Sequence, residues 1–310
     1  MELRQLQTFR EAARSLSFTR AATTLNYAQS SVSAQIQALE EEFGVALFDR
    51  LGRRIILTDA GNRLLTYSEK ILALSEEAKM AVTDDNTPSG TLTIGAPESL
   101  CTYRLPAVVE CFRKRFPKVD IIFKPAWTGE DWQAFLSEGE ADVAVILQAP
   151  CKSRALNVEV LRHEPILCST NPTHRLLGQP VVSLEDFRAE TVLLTEAGCR
   201  YRMAFERTLH RHAVTPAQVV ELHSVEAIKQ CAIIGMGVAV LPEVAIANEL
   251  AQGRLSRLNV EPIEFNQYTQ LVWHKDKWLS PALRAFMDVT RELLGNPVKQ
   301  AEISVESVVV

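Results

Sequence analysis

Apolar residues recur every three or four positions through the first part of the chain. Leu3, Leu6, Phe9, Ala13 and Leu16 make one helical stripe, Ala21, Ala22 and Leu25 a second, and Val32, Ile36, Leu39 and Phe43 a third. Asn26-Tyr27-Ala28 breaks the period between the second and third stripes, and Asn tolerates the backbone that a tight turn demands. Two helices this short cannot bury their stripes alone, so the first must cover them. Gly44 is placed to cap the third helix. Leu47, Phe48, Ile55, Ile56 and Leu57 then read as strands around a turn at Leu51-Gly52-Arg53-Arg54. The pattern predicts a helix-turn-helix followed by a hairpin wing.

From Asp59 to about Thr83 the period is uninterrupted. Leu64, Tyr67, Ile71, Leu74, Ala78 and Ala81 alternate spacings of three and four, the seam of a coiled coil. With Asp59 as N-cap, about 25 residues give a helix on the order of 37 Å long. Its seam has nothing in the sequence to pack against except a second copy, which predicts dimerisation through Leu64, Tyr67, Ile71, Leu74 and Ala78. The competing reading is an amphipathic helix lying on its own domain. A polar Asp84–Gly90 linker containing Pro88 ends it.

Strands and helices alternate beyond Gly90. Strands are predicted at 91–94, 119–123, 141–146, 156–162, 165–169, 191–194, 238–241 and 269–273. Helices are predicted at 101–116, 131–137, 201–211, 224–234, 243–251 and 281–294. Such alternation implies a parallel-type sheet covered on both faces. The last helix would return to the first half, so the chain should cross between two lobes near Arg162 and Asn266. The terminal AEISVESVVV is β-prone but has no evident partner, and a poorly ordered tail is expected.

The third helix carries Gln29, Ser30, Ser31, Ser33, Gln35 and Gln37 outside its stripe, with no charge before Glu40. A solvated face would normally hold Lys and Glu, whereas short hydroxyls and amides suit base edges in a major groove. Thr19 opens the preceding helix, and Arg53 and Arg54 at the wing tip suit a phosphate backbone or a narrow minor groove. The charge balance limits this reading. The chain carries −5 overall, and residues 1–65 hold eight arginines against seven acids. DNA binding would therefore need a dimer to double its contacts, and should be salt-sensitive.

The run LRQLQTFREAARSLSFTRAATTLNYAQSSVSAQIQALEEEFGVALFDRLGRRIILTDAG resembles the winged helix-turn-helix of LysR-type transcriptional regulators from end to end. One departure is Ala34, where the family often has Arg after the serine of the recognition helix. The resemblance implies an α+β chain in four parts. Residues 1–58 would be the DNA-binding domain and 59–89 the linker and dimerisation helix. Residues 90–295 would be a two-lobed effector domain of periplasmic-binding-protein type, followed by a 296–310 tail. Lobe I would take about 90–162 and 267–295, and lobe II about 163–266. The implied partners are a double-stranded operator, a small effector, and further copies of the chain in a homodimer or homotetramer.

A local echo points to the effector site. Cys101-Thr102-Tyr103-Arg104 and Cys199-Arg200-Tyr201-Arg202 each follow a strand and a turn, one per lobe. Helix starts at the C-terminal ends of strands form the ligand crevice of open α/β sheets and suit anions. Ser99 and Thr128 would donate hydroxyls there, and Ile146 with Leu147 an apolar wall. The resemblance implies pocket-lining roles for Ser99, Leu100, Thr128, Ile146, Cys199, Tyr201 and Arg202. A small anion, such as a carboxylate, fits these groups.

Other chemistry is discounted. Six cysteines without a C-x-x-C pair argue against disulfides or a zinc site, and His210 and His212 point to different faces of their helix. No G-x-S-x-G, P-loop or G-x-G-x-x-G motif is present, so neither catalysis nor a cofactor is expected. Gly235-Met236-Gly237 reads as a turn, the four tryptophans as packing residues, and Cys199 as structural, since a redox sensor would need a nearer partner than Cys231. With no membrane span and no signal peptide, a cytoplasmic protein is expected. The alternative function is a small-molecule receptor of periplasmic-binding-protein type, which would need a signal peptide and no helix-turn-helix.

Overall fold

The computed structural model describes residues 1–51, 54–82, 87–125 and 131–295, so Arg53, Trp127, Thr128 and the 296–310 tail lie outside the described residues. The chain divides into two compact units, residues 1–86 and 87–310.

In the first unit, α1 (Leu3–Ser15), α2 (Phe18–Leu25) and α3 (Gln29–Phe43) precede a hairpin of β1 (Phe48–Leu51) and β2 (Arg54–Leu57). Both helix ends use the left-handed backbone anticipated for them, Asn26 at φ 55° and Gly44 at φ 67°. After each, a reversing hydrogen bond closes the turn, from Tyr27 N–H to the Ala22 carbonyl and from Val45 N–H to the Glu40 carbonyl. Phe9, Ala12, Ala13, Ala21, Val32, Ile36, Leu39 and Leu47 are buried together. Phe48 joins them, with its ring 5.5 Å from Phe9 and 5.3 Å from Phe18, so the wing is pinned to the first two helices. Glu40 adds a polar tie, accepting from the Leu47 and Phe48 N–H groups at 2.7 and 3.2 Å.

Helix α4 (Asp59–Val82) closes this unit, and two expectations change here. Its cap is Thr58, whose hydroxyl accepts from Gly61 N–H at 2.9 Å, and Asp59 is already helical. The helix is also not bare. It packs on α1, its Ser68 and Leu72 are buried, and Arg14 pairs with Glu69 at 2.9 Å. One stripe of α4 therefore lies on its own domain while another faces outward.

The second unit holds two five-stranded sheets. The elements run β3 (Gly90–Ala96), α5 (Glu98–Tyr103), α6 (Leu105–Arg115), β4 (Val119–Pro125), α7 (Asp131–Ser137), β5 (Val143–Gln148) and β6 (Leu156–His163). They continue with β7 (Ile166–Thr170), β8 (Thr191–Leu194), α8 (Arg200–Arg211), β9 (Gln218–Glu221), α9 (Val225–Ile233), β10 (Val238–Pro242), α10 (Glu243–Ala251), β11 (Ser256–Arg257), β12 (Tyr268–His274) and α11 (Pro281–Leu294). Lobe I has the order β4-β3-β5-β12-β6 and lobe II the order β11-β7-β10-β8-β9.

The sheets are mixed, which corrects the expectation of a parallel-type sheet. β3 runs parallel to β4 and β5, but β12 is antiparallel to β5 and β6, and β7 is antiparallel to β10. The reason is topological. β7 and β12 enter their sheets directly from the other lobe, with no crossover helix to turn them parallel. The two crossings lie side by side, held by a hydrogen bond from Glu164 N–H to the Gln267 carbonyl. A second difference is that the 101–116 helix is two helices, because Pro106 stands in the first turn of α6 and cannot continue α5.

Candidate functional site

The outward side of α3 begins at its amino end. Gln29, Ser30, Ser31, Ala34 and Gln37 are exposed, Ser33 is half-buried, and Thr19 on α2 is exposed. The Gln29 amide donates to the Ser33 hydroxyl at 2.9 Å, which holds both side chains and leaves the hydroxyl proton of Ser33 free to donate outward. The Gln37 amide donates to Glu41 at 2.8 Å. Gln35 differs from the others. It is half-buried, and its amide oxygen accepts from the buried Thr8 hydroxyl at 2.8 Å, which bolts α3 to α1. Arg54 lies on β2.

Along α4, Tyr67 is 62% exposed and Leu74 is 64% exposed, and Ala78 is exposed too. Leu64 packs against the buried core of the first unit, and Ile71 is half-buried. The five seam residues thus divide between an inward and an outward side.

In the second unit the lobes meet where α8 packs on β5 and α10 packs on α5. Ser99 and Leu100 on α5 are buried. Ile146 is 4% exposed and belongs to a cluster under α7 with Trp132, Phe135 and Leu136, while Leu147 packs on the opposite side of the sheet. That separation follows from strand alternation, so the two cannot form one wall. In lobe II, Cys199 caps α8 and Tyr201 is buried beside it. Burial pushes both the Cys199 thiol and the Tyr201 phenol above their ordinary values. The same cause raises Cys151, takes Cys101 to about 11 and takes Cys168 to about 12. These shifts disfavour the thiolate, the opposite of what a redox-sensing cysteine requires.

Arg202 does not face an open site. Its Nη1 donates to the Thr195 carbonyl and to Glu221 at 2.7 Å, and its Nε donates to Glu206 at 2.8 Å. Its charge is neutralised inside lobe II. Burial raises the Cys151 thiol of lobe I, and the Gln148 hydrogen bond and then the charge of Arg200 pull it down in part. Sequence reasoning passed over Arg200, though it stands one position into the same Cys-Arg-Tyr-Arg run. Glu98 on α5 has its pKa raised by burial, and the charges of Glu196 and Glu226 in lobe II add to the shift. The carboxylates of Glu98, Glu196 and Glu226 therefore lie near enough across the lobes to repel one another. Among the described residues no group of His, Cys, Asp and Glu could hold a metal ion, and no helix is long and apolar enough to cross a membrane.

Two family models match the chain. Residues 3–62 match the bacterial regulatory helix-turn-helix protein, lysR family, and residues 85–295 match the LysR substrate binding domain. An uncharacterized HTH-type transcriptional regulator of Bacillus subtilis, YwqM, is 47% identical over 94% of this chain and 99% of its own. The HTH-type transcriptional regulator GltR of the same organism is 34% identical over 94% and 97%. Full-length OxyR C199D from Pseudomonas aeruginosa superposes with a TM-score of 0.70 at 22% identity, covering 94% of this chain and 95% of that one. CbnR in complex with its target DNA superposes at 0.67 and 19%, covering 94% and 99%. At these identities the two structures establish the likeness of fold.

Proposed function

The chain belongs to the LysR family and is a ligand-responsive transcriptional regulator rather than an enzyme; from that premise we propose how its residues divide the work. Residues 1–58 bind a pseudo-palindromic double-stranded operator, with the amino half of α3 in the major groove and the wing on the backbone. The observation that carries this is the face of α3, where Gln29, Ser30, Ser31, Ser33 and Gln37 stand outside the core without a lysine or arginine among them. Such a face reads bases but supplies little phosphate attraction, so affinity comes from two or four copies acting together. Tyr67, Leu74 and Ala78 supply an apolar stripe for that assembly.

The effector binds between the two lobes of residues 90–295, near α5 of lobe I and the amino end of α8. A small carboxylate fits the amino end of α8 and the Arg200 cation, with Ser99 and Thr128 as hydroxyl donors. Glu98 and Glu196 on the rim restrict the choice to compact acids, or to acids that also carry an amine. The operator is recovered by selecting random duplex DNA with the full-length chain and confirmed by gel shift at low and moderate salt. Failure to enrich any sequence overturns the DNA-reading assignment. A thermal-shift panel of matched carboxylates, amines and amino acids tests the cleft, and stabilisation by amines alone refutes the acid.

A further inference from the structure

Helix α5 carries the buried Ser99 and Leu100, and three groups at its two ends reach beyond lobe I. At its first residue, the Glu98 carboxylate faces the backbone N–H of Val225 at the start of α9. At its last, the Tyr103 ring packs against the buried apolar cluster that α9 and α10 form over β8 and β10. The phenol oxygen lies 3.3 Å from Glu226 Oε2 and 3.4 Å from Lys229 Nζ, and that ammonium sits 5.2 Å from the ring centroid. One residue further, Arg104 forks onto Glu164 in the first crossing between lobes.

The lysine at this junction is 5% exposed, and an ammonium so deep must be paired. Lobe II pairs it without help. Lys229 lies 2.8 Å from Glu226 and 3.1 Å from Glu249, and Arg254 completes the set at 3.0 Å from Glu249. Two cations and two carboxylates balance within α9, α10 and the turn after α10. Tyr103 is therefore surplus to the charge balance of lobe II, and what its hydroxyl adds is a tie to the other lobe. Both of its hydrogen bonds are longer than the usual range for such groups. A tie made of long, modest bonds can open without unfolding either lobe.

We propose that Tyr103, with Lys229 and Glu226, positions α5 against lobe II, so that an effector seated on Ser99 and Leu100 is coupled to lobe spacing through this tie. This rests on the reading of the cleft as the effector site. An effector that prefers one lobe spacing draws the equilibrium toward it, and the tie sets how far that equilibrium leans beforehand.

The test uses the full-length chain as wild type, Tyr103→Phe and Lys229→Met, with Leu293→Ala on α11 as a distant control. Tyr103→Phe keeps the ring and removes only the hydroxyl, so it stands even where Lys229→Met folds poorly. Without ligand, amide hydrogen exchange in residues 98–103 and 225–228 should quicken about fivefold, with α11 unchanged. Transcription from a reporter carrying the selected operator should shift about fivefold or more, the low end of typical site coupling, while operator affinity stays within about twofold. Faster exchange with unchanged reporter output reduces the contact to packing and overturns the proposal, and so does unchanged exchange. Failure of the wild type to select any operator would instead refute the DNA-reading assignment, and the exchange result would still decide whether the tie exists.

Discussion

Arg104→Met should destabilise the second unit by more than any surface ion pair could. The Glu164 side chain is 1% exposed and Arg104 is 19% exposed, with Nε to Oε1 at 2.9 Å and Nη2 to Oε2 at 2.6 Å. Removing the fork leaves the carboxylate with the Thr269 hydroxyl at 2.8 Å and with Arg162 at 3.7 Å, beyond hydrogen-bond range. Breaking a buried pair by deleting one partner typically costs about 3–5 kcal/mol, and the nearby Arg162 places this case near the lower end. At roughly 2–4 °C per kcal/mol for a unit of this size, the expected fall in Tm is about 6–12 °C. Calorimetry of the full-length chain should show it in the transition of the larger unit and not in that of the helix-turn-helix unit. The sign of a second variant is the sharper check. Arg104→Met with Glu164→Gln should regain stability over Arg104→Met alone, because a neutral amide costs less to bury than an orphaned charge. A fall under about 2 °C for the single variant, or a double variant less stable than the single, would refute the account.

Three further outcomes follow from the first unit. Gln35→Ala strands the buried Thr8 hydroxyl and should cost about 1–3 kcal/mol in thermal melting without altering which operator bases are preferred, whereas Gln29→Ala should alter that preference in the same gel shifts. Gly61→Ala would put a Cβ 2.2 Å from the Leu47 carbonyl oxygen, a backbone atom that cannot swing away. Melting of the helix-turn-helix unit should show a loss of about 1–3 kcal/mol, and an unchanged melt would disprove that close approach. Leu74→Asp places a charge in the outward stripe of α4 and should reduce the mass seen by light scattering, with operator binding lost; an unchanged mass would assign assembly to the second unit.

The helix-turn-helix was legible because every local signal agreed. Period, turn residue and cap all point the same way at Asn26 and Gly44, and the structure places both in the left-handed region. The break before α6 was legible too, in Pro106, but a strong apolar period across it masked the proline. Strand direction was not written locally, since β12 reads like any buried strand and its antiparallel setting comes from a crossing far away in sequence. The inward stripe of α4 is the competing reading of the same period, and Leu64 with the buried Ser68 and Leu72 carries it, so the period alone did not choose between the two faces. At the cleft, residue type suggested Arg202 as a ligand, but only geometry shows its charge taken by Glu206 and Glu221. The reverse holds for Gln35, whose amide suits a base edge but serves Thr8.

Those reassignments bear on how a six-residue helix can matter to the whole second unit. A helix as short as α5 has little stability of its own and takes its position from what holds its ends. Here one end faces the α9 amide at Val225, and the other ends on Tyr103, which reaches Glu226 of lobe II, and is followed at once by Arg104, which reaches Glu164 in the crossing. The strong bond is the buried fork at the crossing, where the lobes must stay joined. The weak ones are the long bonds of Tyr103, where they must be able to part. Under the proposed coupling, a rigid anchor beside a loose tie turns a small displacement of α5 into a change of lobe angle about the crossing rather than a slide of one sheet past the other. Ser99 and Leu100 lie between the Glu98 end of α5 and its Tyr103–Arg104 end, so under the proposed coupling a ligand there acts on the helix that both ends hold.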